Sequence, residues 1–498
     1  MQTKTVVLFY PKTEKDNFNK NLPMSLLKIG SELKKAGFKV SIIDERFDDN
    51  YQGNLEKILG DIIFFGVSSM TGYQIIGGLK ASKFIKQRNE NIPIVWGGWH
   101  PSILPKETLS NENIDIVVIG QGEAVARELA FILSRGLGLE AIDGIAYKNK
   151  SGVIFNRGRS FCDINEFSPP AFDLVDFGRY IFEGPLGNRS IFWNSSQGCP
   201  FRCGFCSTPV VYSRRWSGIS ADKLLAQTEV LVKKFQVNGI TFAEDNFFVD
   251  IQRVKEFSSG LIEKNIKVTW ATDARIDKII ALPEEVMFLL RKSGCARLYI
   301  GAESGDAEVL KLIDKRIEPE DIFSAAEKLD RYKIISEFFM IVGFPLNPYN
   351  DLMRSLGMIK TIKMKFPAHQ FTPFLYTPYP GTPLFDLALE KGLKIPASLE
   401  GWQNWSILAP NTPWVNGAYL DKINMYVKCF YPLAFPSQSL EDKFRNGYKG
   451  LIYAILHKIA LYRLKYNIFL FPVEWIVIKL FHNLKLKYNI FQSFGSFR

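Results

Sequence analysis

The stretch SSQGCPFRCGFCSTP, residues 195–209, places three cysteines in one short segment, at positions 199, 203 and 206. It overlaps the end of SIFWNSS (190–196), an apolar run rich in β-branched and aromatic residues that is typical of a buried strand. The three thiols are therefore expected in a loop that directly follows a strand. This spacing and placement indicate a metal centre, because three unligated core cysteines would need both features to be coincidental.

Three thiolates in one loop can bind three irons of a cubane cluster and leave the fourth iron free for another ligand. Zinc is an alternative, but a structural zinc site normally has four protein ligands. His100 is a candidate for that fourth ligand, although it belongs to a different part of the chain. The sequence predicts a four-iron cluster held by Cys199, Cys203 and Cys206, with zinc or no metal as the alternatives.

The cysteine loop follows the first strand of an alternating series of strands and helices. Helical patterns such as ADKLLAQTEVLVKKF (221–235) and PEEVMFLLRKSG (283–294) separate the strands. The strand patterns are SIFWNSS (190–196), GITFAED (239–245), KVTWATDA (267–274), RLYIGAES (297–304), ISEFFMIVGFP (335–345) and FTPFLYTPYPGTP (371–383). Six such repeats predict a parallel barrel or partial barrel, with its chemistry at the carboxyl ends of the strands.

The first 135 residues form another alternating series. Helical stretches MSLLKIGSELKKAGF (24–38) and GGLKASKFIKQR (77–88) separate apolar runs that include TVVLFYP (5–11) and DIIFFGVSS (61–69). Strands buried on both faces and joined by helices predict a doubly wound, Rossmann-like parallel sheet. Its ligand site is expected where the strands end, at SSMTG, GGWHP and GQGE. No G-x-G-x-x-G follows the first strand, so a dinucleotide ligand is only weakly supported.

These patterns divide an α/β chain of 498 residues into four parts. We expect the Rossmann-like domain over residues 1–140, a connecting segment over 141–189 and the partial (β/α)6 barrel over 190–385. A helical, aromatic and basic region occupies 386–498. The length suits several domains, because single cores rarely grow to this size.

Composition narrows the class of protein. A hydrophobic fraction of 47% with 23% charged residues is typical of a globular chain. The N-terminal residues predict a first strand and no secretory signal. No run reaches the roughly 18 apolar residues that a spanning helix needs. Six cysteines, three of them clustered, are not a disulfide framework, so a reducing cytoplasm is the expected compartment.

The net charge of +11 is concentrated near the C-terminus. Residues 441–498 hold ten Lys or Arg against three Asp or Glu, which gives +7 and leaves about +4 for the rest of the chain. Nucleic-acid binding by the body of the protein is therefore not expected. The segment 450–487 mixes helix-period apolar residues with Lys and Arg and is broken at Pro472. It predicts either a helical cover over the barrel mouth or an amphipathic surface that touches an anionic membrane.

The C-x-x-x-C-x-x-C spacing after the first barrel strand resembles the signature of the radical S-adenosylmethionine enzymes. The surrounding GCPFRCGFC (198–206) resembles the form found in their cobalamin-binding branch, and the resemblance extends over about residues 1–385. It implies that S-adenosylmethionine chelates the fourth iron through its amino and carboxylate groups. An electron from the cluster then cleaves the sulfonium to methionine and a 5′-deoxyadenosyl radical.

The resemblance also implies a binding site for S-adenosylmethionine at the strand ends. GAESGD resembles the family's strand-four motif, Phe205 matches the aromatic residue beside adenine, and FMIVGFP resembles the fifth-strand segment that packs adenine. Glu244, Asp245 and Arg275, in FAEDN and TDARID, either face this pocket or lie solvated on the barrel rim. The expected S-adenosylmethionine contacts are Phe205, Glu244, Arg275, Glu303, Ser304 and Val342.

The ligand of the first domain is, by the same resemblance, cobalamin. Small residues at the strand ends would let a bulky flat ligand approach the backbone. The expected contacts are Ser69, Met70, Thr71, Gly97, Gly98, His100, Gly120, Gly122 and Glu123. The chain lacks the D-x-H-x-x-G motif that supplies an axial histidine in many cobalamin domains. We therefore expect no histidine on the cobalt, and His100 is interpreted either as a pocket contact or as a structural residue.

The resemblance implies methyl transfer to an unactivated carbon or to phosphorus of a small-molecule substrate, which the sequence does not identify. It also implies a reductant such as flavodoxin or ferredoxin. The membrane-surface alternative for residues 450–487 is consistent with a lipid-like substrate and with peripheral membrane contact. The alternative within the family is a radical cyclase or oxidative rearrangement enzyme, as in the anaerobic cyclase of chlorophyll synthesis. Outside it, the alternative is a non-catalytic iron–sulfur electron carrier, but a carrier usually encloses its cluster with four ligands.

Overall fold

The computed structural model describes residues 4–14, 21–405, 412–436, 447–469 and 471–476. Its first sheet has seven strands in the order β2-β1-β3-β4-β5-β6-β7. The strands are β1 (Thr5–Tyr10), β2 (Lys39–Asp44), β3 (Ile62–Ser68), β4 (Ile94–Gly97), β5 (Ile116–Val118), β6 (Ile145–Asn149) and β7 (Gly152–Phe155). The helices around it are α1 (Met24–Lys35), α2 (Tyr51–Glu56), α3 (Gln74–Arg88), α4 (Trp99–Ile103), α5 (Pro105–Ser110) and α6 (Glu123–Ser134).

Strands β1 to β5 are parallel, which confirms the doubly wound sheet. Their apolar runs are buried on both faces, because helices cover both sides of the sheet. The first sheet extends past residue 140, where the sequence predicts the end of this domain. Strands β6 and β7, inside the predicted connecting segment, form an antiparallel hairpin on the edge of this sheet. A tight turn permits the hairpin, since Asn149 pairs with Gly152, whose φ is +122°.

The rest of the connecting segment is irregular, as its Pro, Asp and aromatic content predicts. It contains three short 3-10 helices, Ile164–Glu166, Phe172–Leu174 and Phe177–Tyr180. Further 3-10 turns elsewhere in the chain are Leu59–Asp61, Phe247–Val249 and Leu399–Asn404.

The second large sheet has the order β16-β15-β14-β13-β12-β9-β8 and curls into an open half-barrel. Its strands are β8 (Phe182–Gly184), β9 (Gly187–Trp193), β12 (Gly239–Phe242), β13 (Thr269–Arg275), β14 (Cys295–Glu303), β15 (Ile335–Val342) and β16 (Gln370–Leu375). A separate antiparallel pair, β10 (Ser196–Gly198) and β11 (Trp216–Gly218), follows β9. The six parallel strands β9 and β12 to β16 confirm the predicted partial barrel, and β8 adds an antiparallel edge.

Helices cover the outer face of this half-barrel. They are α8 (Ala221–Phe235), α9 (Ile251–Glu263), α10 (Ile276–Ala281), α11 (Glu284–Lys292), α12 (Ala307–Leu312), α13 (Pro319–Arg331) and α14 (Pro348–Lys365). Two further helices, α7 (Thr208–Tyr212) and α15 (Pro383–Glu390), lie toward the first domain. Side chains alternate between the two faces of each strand. On β14, Leu298, Ile300 and Ala302 belong to the core beneath the helices. Arg297 and Tyr299 lie on the opposite face, which lines the inside of the half-barrel.

The C-terminal region divides into two parts that pack against different domains. Residues of α15 and of the turn after it, among them Phe385, Trp402 and Trp405, join the core of the first sheet. The second part contains α16 (Gly417–Met425), a π-helical turn (Tyr426–Phe430), α17 (Tyr431–Ala434) and α18 (Gly447–Tyr466). It packs against Leu352 and Leu356 of α14 and against Val342. Residues 477–487 of the predicted tail lie outside the described residues. Within the described part of the chain, no helix is long and apolar enough to cross a membrane.

Candidate functional site

The three cysteines lie in a loop closed at its base by the β10–β11 pair. Two glycines allow the close packing that fixes this loop. A Cβ at Gly198, whose φ is +80°, would collide with the carbonyl oxygen of Arg215, and a Cβ at Gly204 would collide with the Leu384 side chain. The Gly204 amide donates to the carbonyl of Ile313 (2.8 Å), and the Gly204 carbonyl accepts from the amide of Leu384 (3.0 Å). The loop is therefore held between α12 and α15.

Asp245, at the end of β12, fixes the loop from the barrel side. Its carboxylate accepts from the Gly198 amide (3.1 Å) and from the Thr208 hydroxyl (2.9 Å), one residue before the first cysteine and two after the last. Burial raises the pKa of Asp245. The sequence left open whether the Asp245 carboxylate faces the pocket or lies solvated on the barrel rim. In the structure it accepts hydrogen bonds from residues at both ends of the cysteine loop.

The thiols suit a cationic cluster. Cys203 is buried, and burial raises the pKa of Cys199 to about 11 and that of Cys206 to about 12. Thiolates at these positions therefore need a nearby cation at neutral pH, and iron would supply it. Among the described residues, no group of three His, Cys, Asp or Glu side chains is placed to hold a single metal ion. A cubane fits this arrangement better than one zinc ion does, because each thiolate binds a different iron.

Arg275, at the end of β13, approaches the same loop. Its Nη1 lies 3.3 Å from the Cys203 sulfur, and its Nη2 donates to the carbonyl of Lys315 (2.8 Å). Its Nε donates to Asp277 (2.9 Å), and the guanidinium carbon lies 3.8 Å from the centre of the Phe201 ring. Arg275, which the sequence predicts to contact S-adenosylmethionine, thus contacts a cysteine of the metal motif.

Glu244 is also engaged within the protein. One of its oxygens accepts from the amide (2.6 Å) and the hydroxyl of Ser195, and the other accepts from the hydroxyl of Ser196. The Glu244 amide donates to Asp273 (3.0 Å), a residue that sequence reasoning missed. Burial raises the pKa of Asp273 to about 8. Glu244 therefore joins the end of β12 to the residues before the cysteines, and its position in FAEDN gave no sign of these partners.

Glu303 and Ser304, at the end of β14, have different surroundings. Glu303 has a φ of +65° and forms a buried ion pair with Lys315 at 2.6 Å. Ser304 is fully buried, donates to Asp351 of α14 and accepts from the Asp306 amide (2.9 Å). The Ser304 hydroxyl is thus committed to the joint between β14 and α14.

The two apolar residues of the predicted set lie apart from each other. Phe205 is partly buried, and its ring centroid lies 6.1 Å from that of Phe344, in the loop after β15. The Val342 side chain packs with Leu352 and Leu356, on the outer face of its strand. Because side chains alternate along β15, Ile341 and not Val342 directs its side chain to the inner face.

A cavity of about 370 Å³ lies between the carboxyl ends of the first sheet and the start of the half-barrel. Most of the predicted cobalamin contacts line it: Ser69, Met70, Gly97, Gly98, Gly120, Gly122 and Glu123. A Cβ at Gly120 would meet only the Val211 carbonyl oxygen, 3.8 Å away, so the space beside this backbone is open to a ligand. The cavity therefore leaves room for a ligand to approach the backbone at the strand ends.

Other residues of this cavity were missed by sequence reasoning. Tyr10 comes from β1, Asn194 and Gln197 come from the segment before the cysteines, and Tyr212 comes from α7. The last three could be found only once the two sheets were known to face each other.

Thr71 and His100 do not line the cavity. His100 is fully buried, its Nδ1 lies 3.1 Å from the Thr71 hydroxyl, and its ring contacts Trp402 edge-on at 5.8 Å. Burial lowers the pKa of His100 to about 4, so the ring is neutral at physiological pH. The structure places the His100 ring in the protein interior, between the first domain and Trp402 of the C-terminal region, and away from the residues that line the cavity. Among the described residues, His100 belongs to no group of three or more His, Cys, Asp or Glu side chains that could hold a metal ion.

Direct hydrogen bonds join the cavity to the cysteine loop. The Gln197 amide nitrogen donates to Glu123 (3.0 Å), and the Gln121 amide nitrogen donates to the Gln197 side-chain oxygen (2.9 Å). Gln121 and Glu123 belong to GQGE, and Gln197 lies two residues before Cys199.

Comparison with known families and proteins agrees with this geometry. The family model described as the radical SAM superfamily matches residues 193–359, and the B12 binding domain model matches residues 20–130. An uncharacterized methyltransferase of Pyrococcus horikoshii is 27% identical over 78% of this chain and 82% of its own length. The anaerobic magnesium-protoporphyrin IX monomethyl ester cyclase of Synechocystis is 25% identical over 74% of this chain and 73% of its own.

Two solved structures share the fold. The cobalamin-dependent S-adenosylmethionine radical enzyme OxsB, with aqua-cobalamin and S-adenosylmethionine bound, has a TM-score of 0.72 and 19% identity. It covers 97% of this chain and 75% of its own chain. The radical S-adenosylmethionine methyltransferase TsrM of Kitasatospora setae has a TM-score of 0.64 and 17% identity, over 79% of this chain and 76% of its own.

Proposed function

Because the chain belongs to the cobalamin-dependent radical S-adenosylmethionine enzymes, we propose that it methylates an unactivated carbon or phosphorus centre of a small molecule. One observation carries the proposal. The cavity at the strand ends of the B12-binding sheet is bounded on its other side by Asn194 and Gln197, directly before the cysteine motif. A methyl donor bound in this cavity would lie beside the cluster site, as methyl transfer requires.

The residues that would hold the cofactors are assigned accordingly. Cys199, Cys203 and Cys206 would ligate the four-iron cluster, and the glycines of the strand ends with Ser69, Met70 and Glu123 would contact cobalamin. When bound, the cluster and S-adenosylmethionine supply a radical precursor, and cobalamin supplies the methyl group. Asp245 and Gln197 hold the cysteine loop against the cavity, so the two cofactor sites keep a fixed distance.

The wall of this space is largely apolar. Apolar side chains from both domains, including Leu8, Val95, Phe192 and Val211, contribute to the cavity wall. An apolar enclosure protects reactive intermediates from side reactions.

For S-adenosylmethionine, two of the six predicted contacts keep a direct role in this proposal. Phe205 lies inside the cysteine loop, where an aromatic ring can pack against adenine. Glu303 ends β14 at the same edge of the half-barrel, and its carboxylate can accept from an ammonium or ribose hydroxyl. Glu244, Ser304 and Val342 support the site through the contacts described above.

The alternative chemistry, cyclisation or oxidative rearrangement, is the activity named for the relative from Synechocystis. The electron-carrier alternative is disfavoured, since a carrier needs no cavity beside its cluster. We further propose a small protein reductant such as flavodoxin or ferredoxin and a cytoplasmic location, with no nucleic-acid partner.

A surface on α18 supports a finer proposal, contact with an anionic membrane. The helix buries Ala460 and Leu464 and exposes an apolar stripe on its opposite side. The stripe consists of Leu451, Ile455, Ile459, Tyr462 and Tyr466. Exposed Lys458 and Lys465 flank it, and Phe471, 83% exposed, follows beyond the helix end. An apolar stripe with flanking cations is suited to lie in the interface of an anionic bilayer, close to a lipid-like substrate.

Flotation of the full chain with vesicles tests this contact. We expect binding to vesicles of phosphatidylglycerol and phosphatidylcholine, weaker binding to phosphatidylcholine alone, and loss of binding in Ile455→Glu. Phe288→Glu is the matched control, because Phe288 is 58% exposed on α11, away from the stripe. Unchanged binding in Ile455→Glu would overturn the membrane contact. If the native chain is a dimer that does not bind vesicles, and Ile455→Glu converts it to a monomer, the stripe would instead contact a second copy of the chain.

Anaerobic reconstitution tests the main proposal. We expect one four-iron cluster and reductive cleavage of S-adenosylmethionine, both lost when Cys199, Cys203 or Cys206 becomes Ala. Replacement of Cys162, Cys295 or Cys429 should preserve both, because these thiols lie outside the motif. Full iron and sulfide content in all three motif variants would refute the cluster assignment.

A further inference from the structure

Arg275 is held on every side by the protein. It is 6% exposed, its Nε donates to Asp277, its Nη2 donates to the Lys315 carbonyl, and the Phe201 ring covers one face of its guanidinium. The remaining nitrogen, Nη1, lies 3.3 Å from the sulfur of Cys203, within hydrogen-bonding distance for a sulfur acceptor. A guanidinium with all three nitrogens engaged in this way is poorly placed to clamp the carboxylate of a ligand.

We propose that Arg275 is a positioning residue that donates an N–H to the Cys203 sulfur and thereby raises the reduction potential of the cluster. This inference rests on the proposed function, because it requires the three cysteines to hold a four-iron cluster. It gives Arg275 a role distinct from the S-adenosylmethionine contact that the family resemblance implies.

The physical reason is the charge that reduction adds. Each electron that enters the cluster is shared with its thiolate sulfurs, and hydrogen bonds to those sulfurs are among the determinants of cluster potential. A buried cation stabilises the added negative charge more strongly than an exposed one does, because water screens it less. Such partners around the ligands tune a metal centre without binding the metal themselves.

A second arginine near the same cysteine provides a matched control. Arg316 interacts electrostatically with Cys203, but its side chain is 66% exposed and paired with Asp314. Removing the Arg316 charge changes the local field through solvent and leaves the hydrogen bond to the Cys203 sulfur in place. A comparison of the two arginines separates the N–H···S contact from a general effect of positive charge.

The experiment is a potentiometric titration monitored by electron paramagnetic resonance, on anaerobically reconstituted full-length protein without S-adenosylmethionine. We expect a more negative midpoint potential in Arg275→Gln, a smaller change in Arg275→Lys, and a midpoint close to that of the native protein in Arg316→Gln. Resonance Raman spectra should show stiffer iron–thiolate bonds in Arg275→Gln, because the thiolate that loses its hydrogen bond binds iron more strongly.

The outcomes that overturn the inference are distinct. An unchanged midpoint in both Arg275 variants, with weakened S-adenosylmethionine binding, would make Arg275 a cofactor-binding residue. Loss of the cluster in both variants, with normal assembly in Arg316→Gln, would make its role structural support of the loop. Failure of the native protein to assemble a four-iron cluster would instead refute the proposed function itself.

Discussion

The side-chain amide of Gln197, two residues before the first cysteine of the motif, donates to the carboxylate of Glu123 across the two domains at 3.0 Å. The donor lies in β10, directly before the cysteine loop, the acceptor lies at the start of α6 in the first domain, and both line the cavity. The position of the cysteine loop relative to the cavity is thus fixed by a bond between the two cofactor domains.

Gln197→Leu should destabilise the folded protein by about 1–3 kcal/mol, because it leaves the Glu123 acceptor and the Gln121 donor without their shared partner. Denaturant unfolding of the cofactor-free protein measures the change. Gln252→Leu is the control, since Gln252 bonds Glu256 on an exposed helix surface. Equal stability of the two variants would show that the bond between the domains contributes nothing measurable.

Bound cobalamin should carry no histidine on its cobalt, because the described residues that line the cavity include no histidine. The electron paramagnetic resonance spectrum of the Co(II) form should lack hyperfine splitting from a histidine nitrogen, both in the native protein and in His100→Ala. Splitting in the native protein that disappears in His100→Ala would contradict this prediction. Absence of cobalamin binding would contradict the assignment of the cavity.

Glu303→Ala should destabilise the protein by about 3–5 kcal/mol, because it leaves Lys315 as an uncompensated buried charge. The double variant Glu303→Met/Lys315→Met removes both charges and should recover most of the stability. If the carboxylate also binds S-adenosylmethionine, the double variant should bind it roughly tenfold to a hundredfold more weakly. Native affinity in the folded double variant would leave Glu303 with a structural role alone.

Stability should depend on pH through Asp351, whose pKa burial raises from 3.8 to about 7. The folded state then binds more protons than the unfolded state between these values, so this group makes the free energy of unfolding fall as pH rises through that range. Asp351→Asn removes the contribution. The stability of Asp351→Asn relative to the native protein should increase from pH 4 to pH 7, by up to about 1.4 kcal/mol per unit of pKa shift. A relative stability that is independent of pH would contradict the buried carboxyl assignment.

The features that could be predicted from the sequence are those encoded by neighbouring residues. The apolar runs predicted both series of strands, and the cysteine spacing predicted the metal motif, because each of these patterns lies within one short segment. The glycines of GGWHP and GQGE predicted the cavity for the same reason. The β6–β7 hairpin was missed because the Pro-rich and Asp-rich residues after it suggested a single connecting segment.

The partners of the charged residues could not be predicted in this way. Glu303 bonds a residue 12 positions away, Ser304 one 47 positions away, and Glu244 one 49 positions away. Each pairing exists only after distant segments have packed, so a carboxylate at a strand end gives no local sign of its partner. The burial of His100 beneath Trp402 depends in the same way on a C-terminal segment packing against the first sheet.

Mass spectrometry of metabolites from anaerobic cells supplied with cobalamin and methyl-labelled methionine tests the central claim most directly. Cells that express the native chain should accumulate a product heavier by one labelled methyl group, and cells that express Cys203→Ala should not. A new product that lacks the label would contradict methyl transfer and favour cyclisation or rearrangement. Identical metabolites in the two cultures would contradict the proposed enzyme activity.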